Sequence, residues 1–201
     1  MPSDYINHLS KDKVLKKLLK SQKVFRLKKR KDVHLHLCGS IMSQQLSTKV
    51  ADIIHARFLG LYENRVPKPD EILATPFEAL RAIGLSNAKT QYILNVARFA
   101  MEKGLDHRHL SKLSEEEIIV YLTGIKGVGR WTSEMLLMFT LGREDVFPAD
   151  DLGIQKAMIS LYGLDSKNKK KLRERMQKIS ANWSPYRTYA CLHLWRWKDK
   201  T

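Results

Sequence analysis

The chain has 201 residues, of which 43% are hydrophobic and 28% charged, a balance that is typical of a folded globular protein. No stretch approaches the roughly 20 apolar residues of a membrane-spanning helix, and the amino terminus has no apolar signal core. Two cysteines, Cys38 and Cys191, are too few for a disulfide framework or a four-cysteine metal site. We therefore expect an intracellular, cytoplasmic protein with no membrane partner.

The charge balance indicates a polyanionic partner. Lys and Arg number 36 and Asp and Glu 21, so the formal net charge is +15. Residues 1–31 hold eleven of the basic side chains and two acids, and a second basic run covers 167–178. For any one lysine a solvated helix face is the simpler explanation. The total excess favours nucleic acid as the partner.

Apolar residues recur at helical spacing along the chain, and no run alternates as a strand would. Thr75 and Glu78 have the spacing of a capping box, with Pro76 in the first turn of the helix. Ser114 and Glu117 have the same spacing. The pattern predicts an all-α protein of about nine or ten helices. They fall within 11–27, 41–59, 75–84, 86–100, 114–122, 130–141, 150–158, 172–179 and 184–195.

The segment 122–132 (LTGIKGVGRWT) is the most informative stretch. Gly127 and Gly129 flank Val128 immediately before a predicted helix. Two glycines there permit a tight turn and expose main-chain N–H groups that can hold a phosphate. A plain helix–helix turn with glycine caps is the simpler alternative.

Two adjacent acids, Asp150 and Asp151, follow about twenty residues later in the segment DVFPADDLGI. Acids at a helix start are usually N-caps that satisfy free amides. Here the pair follows an apolar Val-Phe-Pro sequence that places it near the interior. One acid can therefore cap the helix while the other faces a cleft.

These two segments resemble the helix–hairpin–helix, Gly/Pro-rich loop and aspartate of the helix–hairpin–helix DNA glycosylase superfamily. Residues 40–51, 80–97 and 182–197 are similar to its 3-methyladenine DNA glycosylase II branch. The resemblance implies an all-α, two-lobed fold with the active-site cleft between the lobes. It covers residues 35–198, with the hairpin at about 118–141, a middle lobe at about 41–141, and the N- and C-terminal helices in the other lobe. Residues 1–34 then form a basic N-terminal helical extension.

The resemblance implies that Asp151 is the catalytic aspartate and that Asp150 is its capping neighbour. Trp131 stands where lyase-active relatives carry a nucleophilic lysine, so no lyase activity is expected. Cluster-bearing relatives have four cysteines near the carboxyl end, whereas this chain has Cys191 alone, so no iron–sulfur cluster is expected. The family also implies a monovalent cation on hairpin carbonyls, with no other cofactor or metal.

Gln45 matches the residue that fills the gap left by a flipped base, although Gln44 or Leu46 can share that role. Trp131 and Trp183 match aromatic positions of the base pocket; as residues alone, they can equally be core aromatics. Gln45 can likewise serve as a backbone-bridging residue. The phosphate clamp matches Lys126, Gly127, Val128, Gly129 and Thr132.

The implied function is a monofunctional DNA glycosylase of base excision repair that acts as a monomer on double-stranded DNA containing alkylated purines such as 3-methyladenine. A glycosylase for other damaged bases and a catalytically silent DNA-binding protein are the alternatives. We expect the basic N-terminus to lie along DNA phosphates. The pairs His34/His36 and His107/His109 point apart on a helix and do not indicate a metal site.

Overall fold

The computed structural model describes residues 2–200, which form thirteen α-helices and contain no strand. This confirms the all-α prediction, although short helices raise the number above nine or ten. None of the described helices is long and apolar enough to span a membrane. The helices are α1 Pro2–Leu9, α2 Lys13–Ser21, α3 Val33–Ser43, α4 Thr48–Gly60, α5 Pro69–Ala74, α6 Phe77–Ala82, α7 Asn87–Lys103, α8 His107–Leu110, α9 Glu115–Thr123, α10 Arg130–Phe139, α11 Leu152–Tyr162, α12 Lys169–Ala181 and α13 Arg187–Lys198.

The chain divides into two compact units. The first unit takes the chain through Lys28 together with the chain from Leu137 onward, and the second unit is Lys29–Leu136. The division falls inside α10.

The basic N-terminal segment contributes to the core of the first unit. Helix α13 packs against α2 and α11. Tyr5 is 1% exposed and stacks on Tyr189 with ring centroids 4.1 Å apart. Leu9 and Leu15 are also buried. Helix α2 therefore buries one face while the lysines on its other face stay exposed.

A buried histidine connects this segment to α13. His193 Nδ1 lies 2.8 Å from Gln22 Oε1, and His193 Nε2 lies 3.3 Å from the Tyr5 hydroxyl. Burial lowers the pKa of His193 to about 4, so the ring is neutral at pH 7. The segment after α2 is further fixed by Arg196, whose guanidinium lies 3.6 Å from the centroid of the Phe25 ring.

The second unit is built around α7. Helices α3, α5 and α6 pack against α7, and α4 packs against α3. Ile93, Val96 and Ala97 of α7 are fully buried, as are Leu37 and Phe58 of the helices around it. These residues lie at helical spacing, so each helix presents one apolar face to the core.

The two predicted capping boxes have different outcomes. Ser114 and Glu117 do cap α9: Ser114 Oγ accepts the Glu117 N–H at 3.3 Å, and Glu117 Oε2 accepts the Ser114 N–H at 2.8 Å. The box at Thr75 and Glu78 is wrong. The Thr75 hydroxyl instead donates to the main-chain oxygen of Glu71 at 2.8 Å, and α6 begins after Pro76 without a side-chain cap.

Candidate active site

The hairpin between α9 and α10 requires a glycine at its centre. Gly127 has a φ of +107°, and a Cβ built there would lie 2.2 Å from Cγ of Tyr92. Val128 follows as a buried anchor, and its N–H donates to the Ile125 oxygen at 2.9 Å. The predicted tight turn is confirmed, and no larger residue fits at Gly127 without displacing the tyrosine.

The outer surface of the hairpin is open. Lys126 and Gly129 are exposed, and nothing lies within 4 Å of a Cβ built on Gly129. The first N–H groups of α10 have no intrahelical acceptor. Thr132 is 4% exposed, so its side chain is buried. Its main-chain N–H is therefore the group that suits a phosphate. Arg130 braces the turn through ion pairs with glutamates of α9 and α10.

Gln45 lies on the short connection between α3 and α4, where the predicted single helix over 41–59 is interrupted. Its φ is +58°, which is uncommon for a residue with a side chain. The ammonium group of Lys89 donates to the main-chain oxygens of Met42, at 2.9 Å, and Gln44, at 2.7 Å. Lys89 therefore holds the end of α3 immediately before Gln45. The sequence gives no local signal for this role, because the partners of Lys89 lie more than forty positions away.

Gln45 and Trp131 line one depression of about 670 Å³ within the second unit, which we call the Gln45–Trp131 depression. Its wall also includes His36 on α3 and Asp52 and His55 on α4. The indole of Trp131 is 45% exposed, an unusual position for a large aromatic residue that serves packing alone. The structure thus brings together two of the residues that the sequence indicated for base binding.

Asp151 is the N-cap of α11 in the first unit. Its Oδ1 accepts the main-chain N–H of Ile154 at 2.8 Å and the indole N–H of Trp195 at 2.9 Å. The expectation that Asp150 caps this helix is wrong. The helix begins at Leu152, which gives the capping position to Asp151, while Asp150 is exposed and pairs with Arg173 at 3.3 Å.

Trp195 is a site residue that was not predicted, although it lies within the segment 182–197. Its ring packs against Gly153, where a built Cβ would lie 3.0 Å from Cδ1 and Nε1 of the indole and 3.0 Å from Asp151 Oδ1. The ring of Phe139 lies next to it, with centroids 5.9 Å apart. A small residue at Gly153 therefore allows the indole to reach the carboxylate.

Trp183 lies in the core of the first unit, which corrects its expected place in a base pocket. The side chain is 0% exposed, and its indole N–H donates to Asp12 Oδ2 at 3.0 Å. Tyr162 donates its hydroxyl to the same oxygen at 3.0 Å, and burial raises the pKa of that tyrosine. Asp12 also caps α2, so Trp183 belongs to a buried polar junction between helices.

The main-chain oxygens of the hairpin are partly engaged. The Lys126 oxygen accepts the side-chain amide of Asn95 at 3.1 Å, which leaves a second lone pair for the monovalent cation that the resemblance implies. Residues 2–200 contain no group of three or more His, Cys, Asp or Glu side chains placed to hold a metal ion. Cys38 and Cys191 are both buried.

Comparison with known proteins agrees with this geometry. A family model described as HhH-GPD superfamily base excision DNA repair protein matches residues 38–182. DNA-3-methyladenine glycosylase 1 of Schizosaccharomyces pombe is 38% identical over 187 residues, which cover 92% of this chain and 80% of that protein. The alkylbase DNA glycosidase-like protein of the same yeast is 38% identical over 160 residues, covering 78% of this chain and 74% of that one.

Two solved structures are similar over most of the chain. A DNA-3-methyladenine glycosidase from Bacillus halodurans superposes with a TM-score of 0.83 at 35% identity, covering 95% of this chain and 87% of that chain. The 3-methyladenine DNA glycosylase of Schizosaccharomyces pombe in complex with abasic DNA also has a TM-score of 0.83 at 35% identity, covering 96% and 95%.

Proposed function

Because this chain belongs to the HhH-GPD superfamily of base excision DNA repair proteins, we propose that it is a monofunctional DNA glycosylase that removes alkylated purines from duplex DNA. The observation that carries the proposal is the fixed carboxylate of Asp151, which receives two hydrogen bonds on one oxygen at the start of α11. The protein acts as a monomer, and the hairpin holds the DNA by its phosphates without reading sequence.

The target base has to leave the duplex before its glycosidic bond can be reached. In this proposal Gln45 fills the vacated position; its positive φ and the hydrogen bond from Lys89 to the preceding residue support a fixed connection there. Alkylation at N3 of adenine or N7 of guanine gives the base a positive charge. The exposed indole of Trp131 suits such a base, since each cation–π contact contributes about 0.5–2 kcal/mol.

A positively charged base is already a good leaving group, so strong acid assistance is unnecessary. Its departure leaves positive charge on the sugar, and the Asp151 carboxylate stabilises that charge where it develops. The hydrogen bonds from Ile154 and Trp195 hold the carboxylate in one orientation, which avoids reorganisation during the reaction. Asp151 also orients or deprotonates the attacking water.

The proposed absence of lyase chemistry is supported by the composition of α10. A lyase needs an amine that forms a Schiff base with the sugar. Helix α10 carries Trp131 in its first turn and contains no lysine along Arg130–Phe139. The product is therefore an abasic site in an uncut strand.

The test is a base-release assay on methylated duplex DNA with the wild type, Asp151→Asn and the matched control Asp150→Asn. We expect free methylpurine from the wild type and the control, with strand breaks after alkaline treatment alone. Asp151→Asn should bind DNA but release no base. Breaks without alkali would refute the monofunctional proposal, and release by Asp151→Asn would remove that residue from the mechanism. Binding without release by the wild type favours a silent DNA-binding role.

The basic N-terminus needs a test that preserves the core. Deleting residues 1–31 would remove Tyr5 and Leu15, which are buried in the first unit. Replacing the exposed lysines of α2 by glutamine leaves its apolar face unchanged. If that face meets phosphates, the slope of log affinity against log salt should become shallower by about 0.9 for each phosphate that is no longer neutralised. An unchanged slope would contradict the proposed interaction. The lysines are Lys13, Lys16, Lys17 and Lys20.

A further inference from the structure

Helix α12 carries the second basic run of the sequence. Along Lys169–Ala181 it holds six basic side chains and one acid, Glu174, and all of them are exposed. Its buried side consists of Leu172, Met176 and Ser180. A helix that packs on one side and collects cations on the others presents a surface suited to a polyanion. The basic residues are Lys169, Lys170, Lys171, Arg173, Arg175 and Lys178.

One ion pair shows where this helix lies in the first unit. Arg173 Nη1 lies 3.3 Å from Oδ1 of Asp150, and Asp150 directly precedes Asp151 in the chain. The N-terminal part of α12 therefore lies beside the carboxylate that the proposed mechanism uses. The hairpin belongs to the second unit, so the first unit has a basic surface of its own next to its carboxylate.

Lys169 and Lys170 share one side of α12 with Arg173. They lie four and three positions before it, and side chains at these spacings are neighbours on a helix surface. Both lysines are exposed, and among residues 2–200 no ion pair to either ammonium group is present. Asp150 offsets the charge of Arg173, whereas the charges of the two lysines are available to a partner.

Two other lysines of α12 carry the same charge on a different side. Lys171 lies two positions before Arg173 and Lys178 five positions after it. At 3.6 residues per turn, these separations place them about 140–160° around the helix from Arg173. Both are exposed, so α12 contains its own comparison between lysines near Asp150 and lysines turned away from it.

We infer that Lys169 and Lys170 bind backbone phosphates of the DNA strand whose sugar reaches Asp151. The inference rests on the proposed function in taking duplex DNA as the partner, and it adds a phosphate contact in the first unit to that of the hairpin. Each strand carries one phosphate for about every 3.4 Å of helix axis, so a strand at Asp151 brings phosphates to the adjacent turns of α12. Such contacts hold the strand at the carboxylate without reading its sequence.

The experiment compares the double variant Lys169→Gln/Lys170→Gln with the matched control Lys171→Gln/Lys178→Gln. Each removes two positive charges from exposed positions of the same helix and leaves its buried side unchanged. The Kd for a duplex with a tetrahydrofuran abasic analogue is measured between about 50 and 200 mM salt, the range over which phosphate contacts change affinity strongly. Thermal unfolding of both variants confirms that the fold is intact.

Lys169→Gln/Lys170→Gln should make the slope of log affinity against log salt shallower by about 1.8, the change expected when two phosphates are no longer neutralised. The control should change the slope by less than half as much, because its lysines act only through the screened overall charge. An unchanged slope in Lys169→Gln/Lys170→Gln would overturn the inference. Equal changes in both variants would also overturn it, since the effect would then belong to net charge rather than to a local contact.

The failure of this inference differs from the failure of the proposed function. Release of methylpurine by a wild type whose salt slope does not depend on Lys169 and Lys170 would overturn the inference and leave the glycosylase proposal intact. A wild type that binds the duplex but releases no methylpurine would refute the glycosylase proposal, and the comparison of slopes would still decide whether α12 binds phosphates.

Discussion

Removing the hydrogen bond from Trp195 to Asp151 gives the sharpest test of whether the first unit orients the Asp151 carboxylate for base release. Trp195→Phe keeps an aromatic ring against Gly153 and Phe139 but removes the N–H whose nitrogen lies 2.9 Å from Oδ1. A hydrogen bond to a charged group contributes about 1.5–3 kcal/mol. Converted to rate, that is about 10- to 150-fold, and the partial exposure of Trp195 favours the lower part of this range.

The matched control is Trp183→Phe. It also removes one indole N–H donated to an aspartate of the first unit, at 3.0 Å, but the acceptor is Asp12, the N-cap of α2. We expect Trp183→Phe to lower the melting temperature and leave single-turnover release of methylpurine near the wild-type rate. Trp195→Phe should slow release about 10- to 30-fold with a smaller change in melting temperature.

The assay is single-turnover base release at saturating enzyme, with thermal unfolding and binding to abasic-analogue DNA measured on the same preparations. Equal slowing by the two variants would refute the reasoning, because it would trace the effect to the packing of the unit. A wild-type rate for Trp195→Phe would show that Ile154 alone is sufficient to orient Asp151.

Three further predictions concern the second unit. Lys89→Met should lower base release and thermal stability, because the connection before Gln45 loses two charged hydrogen bonds, and an intact release rate would contradict this. Gly127→Ala should weaken duplex binding and stability, because its Cβ would lie 2.2 Å from a tyrosine ring. Gly129→Ala should leave the melting temperature unchanged, because nothing lies within 4 Å of a Cβ built there. An arginine side chain and a main-chain N–H lower the pKa of Glu71 from 4.5 to about 2, so its stabilisation is present above pH 4.5 and is lost as the pH falls toward 2. In acid unfolding curves, Glu71→Gln should lack this pH-dependent contribution to stability. The same pH dependence in Glu71→Gln and in the wild type would refute the prediction.

Local patterns were sufficient for much of the fold. The two glycines around Val128 predicted a tight turn, and the positive φ of Gly127 confirms it. The capping box at Ser114 was also visible, because both of its members lie within one turn. The box at Thr75 failed although its pattern was equally good. Its hydroxyl had a competing acceptor one turn upstream, in a helix that the periodicity did not resolve.

The adjacent acids show a second limit of prediction from local sequence. Either Asp150 or Asp151 satisfies the residue preference of an N-cap, and the choice depends on the position at which α11 begins. In the structure Asp151 holds the N-cap position, and its Oδ1 accepts the Ile154 N–H at 2.8 Å. The same oxygen accepts the indole N–H of Trp195, a residue 44 positions away that the local pattern does not connect with it.

Trp183 and Trp195 show that the local sequence also does not reveal function. Both lie in the segment 182–197, but they differ in role. Each donates an indole N–H to an aspartate within the first unit, and nothing in the segment itself distinguishes them. Trp183 reaches Asp12 across 171 positions and Trp195 reaches Asp151 across 44. The difference between a core residue and a residue that orients the proposed catalytic carboxylate thus lies in the identity of the acceptor, which tertiary contacts determine. When several tryptophans donate to aspartates, as here, the role of each tryptophan is therefore assigned from the aspartate that accepts its hydrogen bond.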